Sequence, residues 1–422
     1  MGPGGPQVEA IKRIVILGGG TGGTIAANRL HRAFGAGDAE IIVVDQDDDH
    51  VYQPGLLFVP FGHADPGRLV RSRRRQLHAG IGFRQAGIDH VNLAADRVRL
   101  DDGTELGYDV LVIATGARLL PEETEGLTGP GWMKNVFTFY TLAGATALRS
   151  ALDRFDGGRL VVNVIDMPIK CPVAPLEFCF LADRYFLRRR IRSRVELSYV
   201  TPLDGAFTRP VCSRELSGLL AGRGIELITQ FNTGTVRDGA LVSYDDRQVP
   251  FDLAVVVPVH GGAAYVDRSA GLGDELGFIP VDRQTLQAKA KPNIFAIGDA
   301  TDAPTSKAGS VAHFEGEALV GRIRAYLADQ PLTAAFDGHT NCFIETGGGK
   351  ALLIDFNYDT EPLTGHYPAS VGLPLLRESR LNHLGKLAFG QLYWHSLLPG
   401  RDLPGIGAAM PRRGKKGLPA RT

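Results

Sequence analysis

Short apolar runs recur along this chain, most of them closed by a glycine or an acid, with amphipathic stretches between them. They fall at 13–17, 40–45, 108–116, 159–165, 195–200, 251–258 and 293–299. A strand buried on both faces shows no alternation, the pattern of a parallel sheet covered by helices. Between the runs, apolar residues take helical spacing, through Ala26, Ala27 and Leu30 and again over about 175–190. The 251–258 run mirrors the one at 108–113, so the second half of the pattern repeats the first. Two later segments differ. Residues 342–356 alternate, which predicts one half-buried strand running from Cys342 through Lys350 to Phe356. Leu381, Leu384, Ala388 and Leu392 share one helix face, which Leu387, Trp394 and Leu398 widen.

The first run leads into Gly18-Gly19-Gly20-Thr21-Gly22-Gly23, and the second ends in Asp45. Glycines at 18, 20 and 23 fit Gly-x-Gly-x-x-Gly between a strand and a helix. Gly18 permits the tight turn, Gly20 lets a pyrophosphate approach the backbone, and Gly23 lets the helix pack on the strand. The helix N-terminus receives the phosphate charge. Asp45 stands where an acid holds ribose hydroxyls. With the runs ending in Ala114-Thr115-Gly116 and Gly298-Asp299, the pattern resembles the FAD domain of the two-dinucleotide-binding-domain flavoproteins, the glutathione reductase-like group. That resemblance implies FAD as cofactor, Thr115 and Gly116 at its site, and Asp299 on the ribityl chain. Ala308 and Gly309 then open a helix aimed at the flavin. The expected fold is α/β: two Rossmann-like dinucleotide-binding domains plus a C-terminal membrane-associating region. The FAD domain takes 12–118 and 271–330, the second Rossmann-like domain 119–270, and the C-terminal region 331–422.

Charge and composition narrow the picture. Charged residues are 22% of the 422 and hydrophobic ones 44%, as in a globular protein. Lys+Arg and Asp+Glu are each 46, so no net basic charge points to nucleic acid. Arginine runs at 68–75 and 184–194 read as solvated faces. The tail cations Arg412, Arg413, Lys415, Lys416 and Arg421 follow the apolar face and Tyr393-Trp394-His395, which together read as a helix lying on a membrane surface. The alternative is a helix packed on its own protein or on a second copy. No apolar stretch approaches ~18 residues, so no spanning helix is expected, and the polar N-terminus shows no secretory signal. The expected location is peripheral, on the cytoplasmic side of the cell membrane. In a reducing compartment, four cysteines do not make a structural disulfide framework.

The second half departs from a nucleotide site at one place. After its first strand it carries Asp166-Met167-Pro168-Ile169-Lys170-Cys171-Pro172-Val173-Ala174-Pro175-Leu176-Glu177, with no glycine for a pyrophosphate. Electrons must then come from a donor other than NAD(P)H. Cys171 precedes a helix start and follows Lys170, both of which favour thiolate. Cys179 and Cys212, the latter in a connection, read as structural.

Lys170-Cys171-Pro-Val-Ala174-Pro175-Leu-Glu177, Gly298-Asp299 with Lys307-Ala308-Gly309, and Asn341-Cys342 resemble segments of the sulfide:quinone oxidoreductases and the related flavocytochrome c sulfide dehydrogenase flavoproteins. Tyr52-Gln53-Pro54-Gly55 and Pro202-Leu203 are similar too. A third cysteine found in some members is missing from 117–134. The resemblance implies sulfide oxidation to sulfane sulfur or polysulfide at a Cys171–Cys342 redox pair, with electrons passing through FAD to a membrane quinone. Glu177 resembles the acid near the quinone path, or is a surface residue of an amphipathic helix. Lys307 stands where it would stabilise the reduced flavin, or is solvated. Phe343, Phe389 and Tyr393 are candidates to stack on the quinone. No metal is expected, and self-association is compatible with the sequence. The competing readings are a type II NADH:quinone dehydrogenase and a persulfide carrier or redox sensor without turnover. The cysteines and FAD contacts are all expected before Leu352, apart from the acceptor region beyond Leu381.

Overall fold

The computed structural model describes residues 11–35, 37–237, 239–333, 336–403 and 406–417. The N-terminal 1–10 and Arg421 of the basic tail lie outside the described residues.

Lys12–Leu17 pairs in parallel with Ala39–Asp45 on one side and Val110–Ile113 on the other. Ile294–Ala296 and Gly82–Gln85 complete a five-stranded parallel sheet at its two edges. Ile14, Val15, Ile16 and Leu17 are each 0% exposed, as strands covered on both faces must be. Helices Thr21–Phe34 and Gly309–Leu327 pack on one another at that sheet. They cross closely at Gly316, where a Cβ would stand 2.9 Å from Ile25.

The same arrangement recurs in the second half. Gly158–Val164 pairs in parallel with Val195–Val200 and with Leu253–Val257, and Ile225–Ile228 and Val136–Phe137 form the edges. The apolar runs at 108–113 and 251–257 thus occupy equivalent strand positions beside the first strand of each sheet. Helix Ala174–Arg188 follows Gly158–Val164 and buries Leu176, Phe178, Cys179, Phe180 and Phe186. Cys212 lies on helix Pro210–Ala221, not in a connection, and is 1% exposed. Buried Cys179 and Cys212 are core side chains.

The alternating 342–356 stretch is two strands, not one. Thr340–Gly347 and Lys350–Phe356 form an antiparallel hairpin. Gly347, Gly348 and Gly349 all have φ between +65° and +74°, a left-handed turn that side chains resist. The C-terminal helix is also shorter than the sequence pattern suggests. Arg380–Leu392 is capped by the Ser379 hydroxyl, which accepts the Asn382 N–H at 3.0 Å. A π-turn over Tyr393–Leu397 then redirects the chain inward. No described helix is long and apolar enough to cross a membrane.

Candidate active site

Two cavities flank the N-terminal turns of helix Gly309–Leu327. The larger, about 620 Å³, is a cleft running along the strand ends of the first sheet. Gly18, Gly20, Asp45, Thr115, Gly116, Gly298, Asp299, Ala308 and Gly309 all line it. At Gly18 a Cβ would stand 2.5 Å from the Ala114 carbonyl oxygen, with φ at +92°. At Gly23 it would stand 1.8 Å from the Gly18 carbonyl oxygen. Gly20 faces open space, so its bare backbone is free for a ligand. Gly20 and Ala308 precede their helices without a side-chain cap, leaving the first N–H groups of both to a bound group. Asp45 accepts the Gly19 N–H at 2.6 Å and pairs with Arg73 at 2.7 Å. Arg73 also binds Asp47 and is 8% exposed, so it is not the solvated member of a basic run. The cradle fits a dinucleotide with an anionic pyrophosphate, and the fold and cradle together define a flavin-dependent oxidoreductase that takes FAD.

Cys171 lines the same cleft from the second sheet. Its loop is bonded to the first half: the Cys171 N–H donates to the Lys307 carbonyl at 2.7 Å, and Tyr140 Oη donates to the Cys171 carbonyl at 3.3 Å. Cys171 takes φ +46°, a conformation that costs a side chain energy and that this docking holds. The expected low thiol pKa is corrected. Burial, reinforced by Glu177, pushes it up to about 12, so the thiol form is favoured here. Cys342 is 8% exposed, packs in the core that Cys171 adjoins, and has its own pKa raised by burial and by Cys171. All four cysteines are free thiols.

Glu177 is 1% exposed, not a surface acid. Its Oε1 accepts the Glu345 N–H at 2.5 Å and the Lys386 ammonium. Burial raises the Glu177 pKa while Lys386 opposes it. Burial alone would lower the Lys386 pKa, but Glu177 outweighs it and the net direction is up. Lys307 is 7% exposed and lines the cleft, but is not solvated. It donates to the carbonyls of Asp299 at 3.0 Å and Thr301 at 2.7 Å, clamping the Gly298–Asp299 turn. Glu315 holds the same turn from its other side by accepting the Gly298 N–H at 2.5 Å. Burial pushes the Glu315 carboxyl up to about 8.

The second cavity, about 520 Å³, is apolar and lies between helix Gly309–Leu327, strand Thr340–Gly347 and helix Arg380–Leu392. Phe343 and Phe389 line it, Tyr393 does not. Tyr393 is 1% exposed on the cofactor cleft, bonded to Thr21 and to His50 Nε2, each at 2.7 Å. Burial lowers the His50 pKa to about 4, and its Nδ1–H donates to the Gly19 carbonyl. A neutral ring of that tautomer accepts from Tyr393. Lys386 lines the cofactor cleft as well, so contacts to the cofactor do not all precede Leu352. Trp394 and Leu398 are buried too, Trp394 beneath the Arg71 guanidinium at 4.2 Å. Neither belongs to a membrane-facing surface. Lys415 is no free tail cation, because it is buried in an ion pair with Asp355. Leu381, Leu384 and Leu387 do face outward, at 51%, 59% and 54% exposed.

In the sequence, Lys386 is only a lone cation inside an apolar helical stripe, a pattern that does not single it out.

Comparison with known proteins agrees with this geometry. Residues 12–163 match the family described as pyridine nucleotide-disulphide oxidoreductase. The mitochondrial sulfide:quinone oxidoreductase of Mus musculus is 27% identical over 83% of this chain and 79% of its own length. That of Dictyostelium discoideum is 26% identical over 94% and 88%. Among solved structures, the sulfide:quinone oxidoreductase of Aquifex aeolicus superposes with a TM-score of 0.78 at 19% identity, covering 92% of each chain. The resemblance to sulfide:quinone oxidoreductases read from the sequence motifs thus extends over most of the chain.

Proposed function

We propose that this chain oxidises sulfide at Cys171 and Cys342 and sends the electrons through FAD to a quinone in the apolar cavity. The observation that carries this reading is the position of Cys171. A cysteine, not a glycine turn, occupies the second nucleotide loop, and that loop is hydrogen-bonded onto the cofactor cleft with Cys342 as its neighbour.

In the oxidised pair, hydrosulfide attacks one sulfur of the Cys171–Cys342 disulfide. The S–S bond breaks, the attacked cysteine becomes a persulfide, and the other leaves as a thiolate carrying the electron pair. Bound FAD supplies the two-electron relay from that thiolate to the acceptor. The Lys386 ammonium, also felt at Cys171, offsets negative charge arising beside Glu177. Lys307 and Glu315 fix the Gly298–Asp299 turn, and the uncapped N-terminus at Gly309 presents positive backbone dipoles to the cofactor.

Strand Thr340–Gly347 links the two chemistries. Successive side chains point to opposite faces, so Cys342 packs toward the helix bearing Glu177 while Phe343 faces the apolar cavity. Leu381, Leu384 and Leu387 lie on the helix that walls this cavity and face outward. A membrane-dissolved quinone reaches the cavity when this face rests on lipid, on the cytoplasmic side.

The test is steady-state reduction of decylubiquinone by purified holoenzyme. Sulfide should support turnover and NADH should not. NADH-driven turnover at the sulfide rate would favour the dehydrogenase reading, and persulfide formation without quinone reduction the carrier reading.

A further inference from the structure

On the reading that the apolar cavity takes a quinone, we propose that His313 holds the quinone by donating a ring N–H to one of its carbonyl oxygens. His313 sits in the first turns of helix Gly309–Leu327 and lines the cavity. It is 2% exposed, and neither ring nitrogen has a hydrogen-bond partner among the described residues. Two polar neighbours in the wall are engaged, whereas His313 is the fully buried one with no partner among the described residues. The Ser310 hydroxyl donates to the Asn341 carbonyl at 2.7 Å, and the Asn341 side chain donates to Asp355 at 3.1 Å. Burying an imidazole without a partner is penalised, and an acceptor arriving in the cavity removes the penalty.

The chemistry suits a carbonyl. Burial lowers the His313 pKa to about 4, so the ring is neutral near pH 7 with one N–H to donate. The helix also places the ligand well. Gly309 and Ala312 line the cofactor cleft, whereas Ser310, His313 and Phe314 line the apolar cavity, so adjacent faces of the same helix border the two. Conversion to quinol takes two electrons, which sulfide supplies through bound FAD, and two protons, which come from solvent. As electron density builds on the bonded oxygen the hydrogen bond strengthens, and His313 keeps its own proton. His313 therefore touches the substrate and orients it without being consumed.

The holoenzyme tests this with decylubiquinone as acceptor and sulfide as donor. His313→Phe keeps an aromatic ring and removes the donor. It should retain FAD, leave the anaerobic rate of flavin bleaching by sulfide unchanged, and raise the quinone KM about tenfold. His313→Gln restores an N–H and should recover most of that loss, which a merely structural role would not allow. Direct titration of oxidised holoenzyme with decylubiquinone gives the same comparison as a Kd and does not depend on sulfide turnover. A Kd and KM for His313→Phe within about twofold of wild type overturn the proposal. Wild-type enzyme that binds quinone through His313 but is not reduced by sulfide would instead overturn the proposed sulfide chemistry and leave this site standing.

Discussion

Lys386→Met removes one half of an ion pair whose carboxylate is 1% exposed. Glu177 keeps the Glu345 N–H as its one remaining donor. Breaking a buried pair from one side costs about 3–5 kcal/mol, because the partner charge stays buried. Unfolding entropy scales at roughly 2.1 cal/mol/K per residue, so this loss lowers Tm by about 3–6 °C in a chain of 422 residues. The loss depends on pH. The Glu177 pKa is already raised by burial, and without Lys386 it rises further. A carboxyl raised above its unfolded value keeps its stabilising contribution at low pH and loses it as pH climbs through the folded pKa. Lys386→Met should therefore nearly match wild type at about pH 5 and fall below it at about pH 8. Glu177→Gln should lower Tm in its own right by stranding the ammonium. Lys386→Met with Glu177→Gln should recover most of either loss, since a neutral pair leaves no buried charge. Thermal unfolding of the four holoenzymes at both pH values makes the comparison. A pH-independent loss, or a double variant that loses the sum of the singles, would refute the coupling.

Three further outcomes follow from other parts of the molecule. Stopped-flow mixing with NADH should leave the flavin oxidised on a catalytic timescale, because the 166–177 loop has no glycine turn and is docked through Cys171 to Lys307; rapid bleaching would contradict this. If the proposed membrane face is right, Leu381, Leu384 and Leu387, each about half exposed, would contribute roughly 3 kcal/mol together, so changing all three to Ser should weaken the partition constant onto liposomes about 100-fold while sulfide still bleaches the flavin; unchanged partitioning would contradict it. Glu315→Gln keeps an acceptor for the Gly298 N–H and removes a carboxyl raised to about 8, so apoprotein Tm should fall less between about pH 5 and 8 than in wild type; equal pH slopes would count against the buried acid.

The sequence was most informative where one residue type alone could satisfy the backbone. Gly18 and Gly23 are fixed by collisions with Ala114 and Gly18, so the glycine spacing identified the cradle. Cys171 stood out because a cysteine replaced such a turn. Charges were harder to place. A lysine within an apolar stripe reads as a solvated break, and only the packing of helix Arg380–Leu392 on the Thr340–Gly347 and Lys350–Phe356 hairpin turns Lys386 toward Glu177. The aromatics at 393–395 matched an interfacial pattern, but the π-turn rotates Tyr393 and Trp394 into the protein. Burial reversed the thiolate expectation at Cys171, since helix start and neighbouring lysine were legible while the desolvating surroundings were not. His313 carried no motif at all, and only the cavity beside it gives it a role.

The most direct measurement is anaerobic addition of sulfide to purified, FAD-loaded protein while the flavin absorbance is followed, in wild type and in Cys171→Ser. Rapid bleaching in the wild type and none in the variant, with FAD content equal, is the predicted result. Bleaching of the Cys171→Ser flavin at the wild-type rate would contradict the account, because sulfide would then reach the cofactor without the cysteine that faces it.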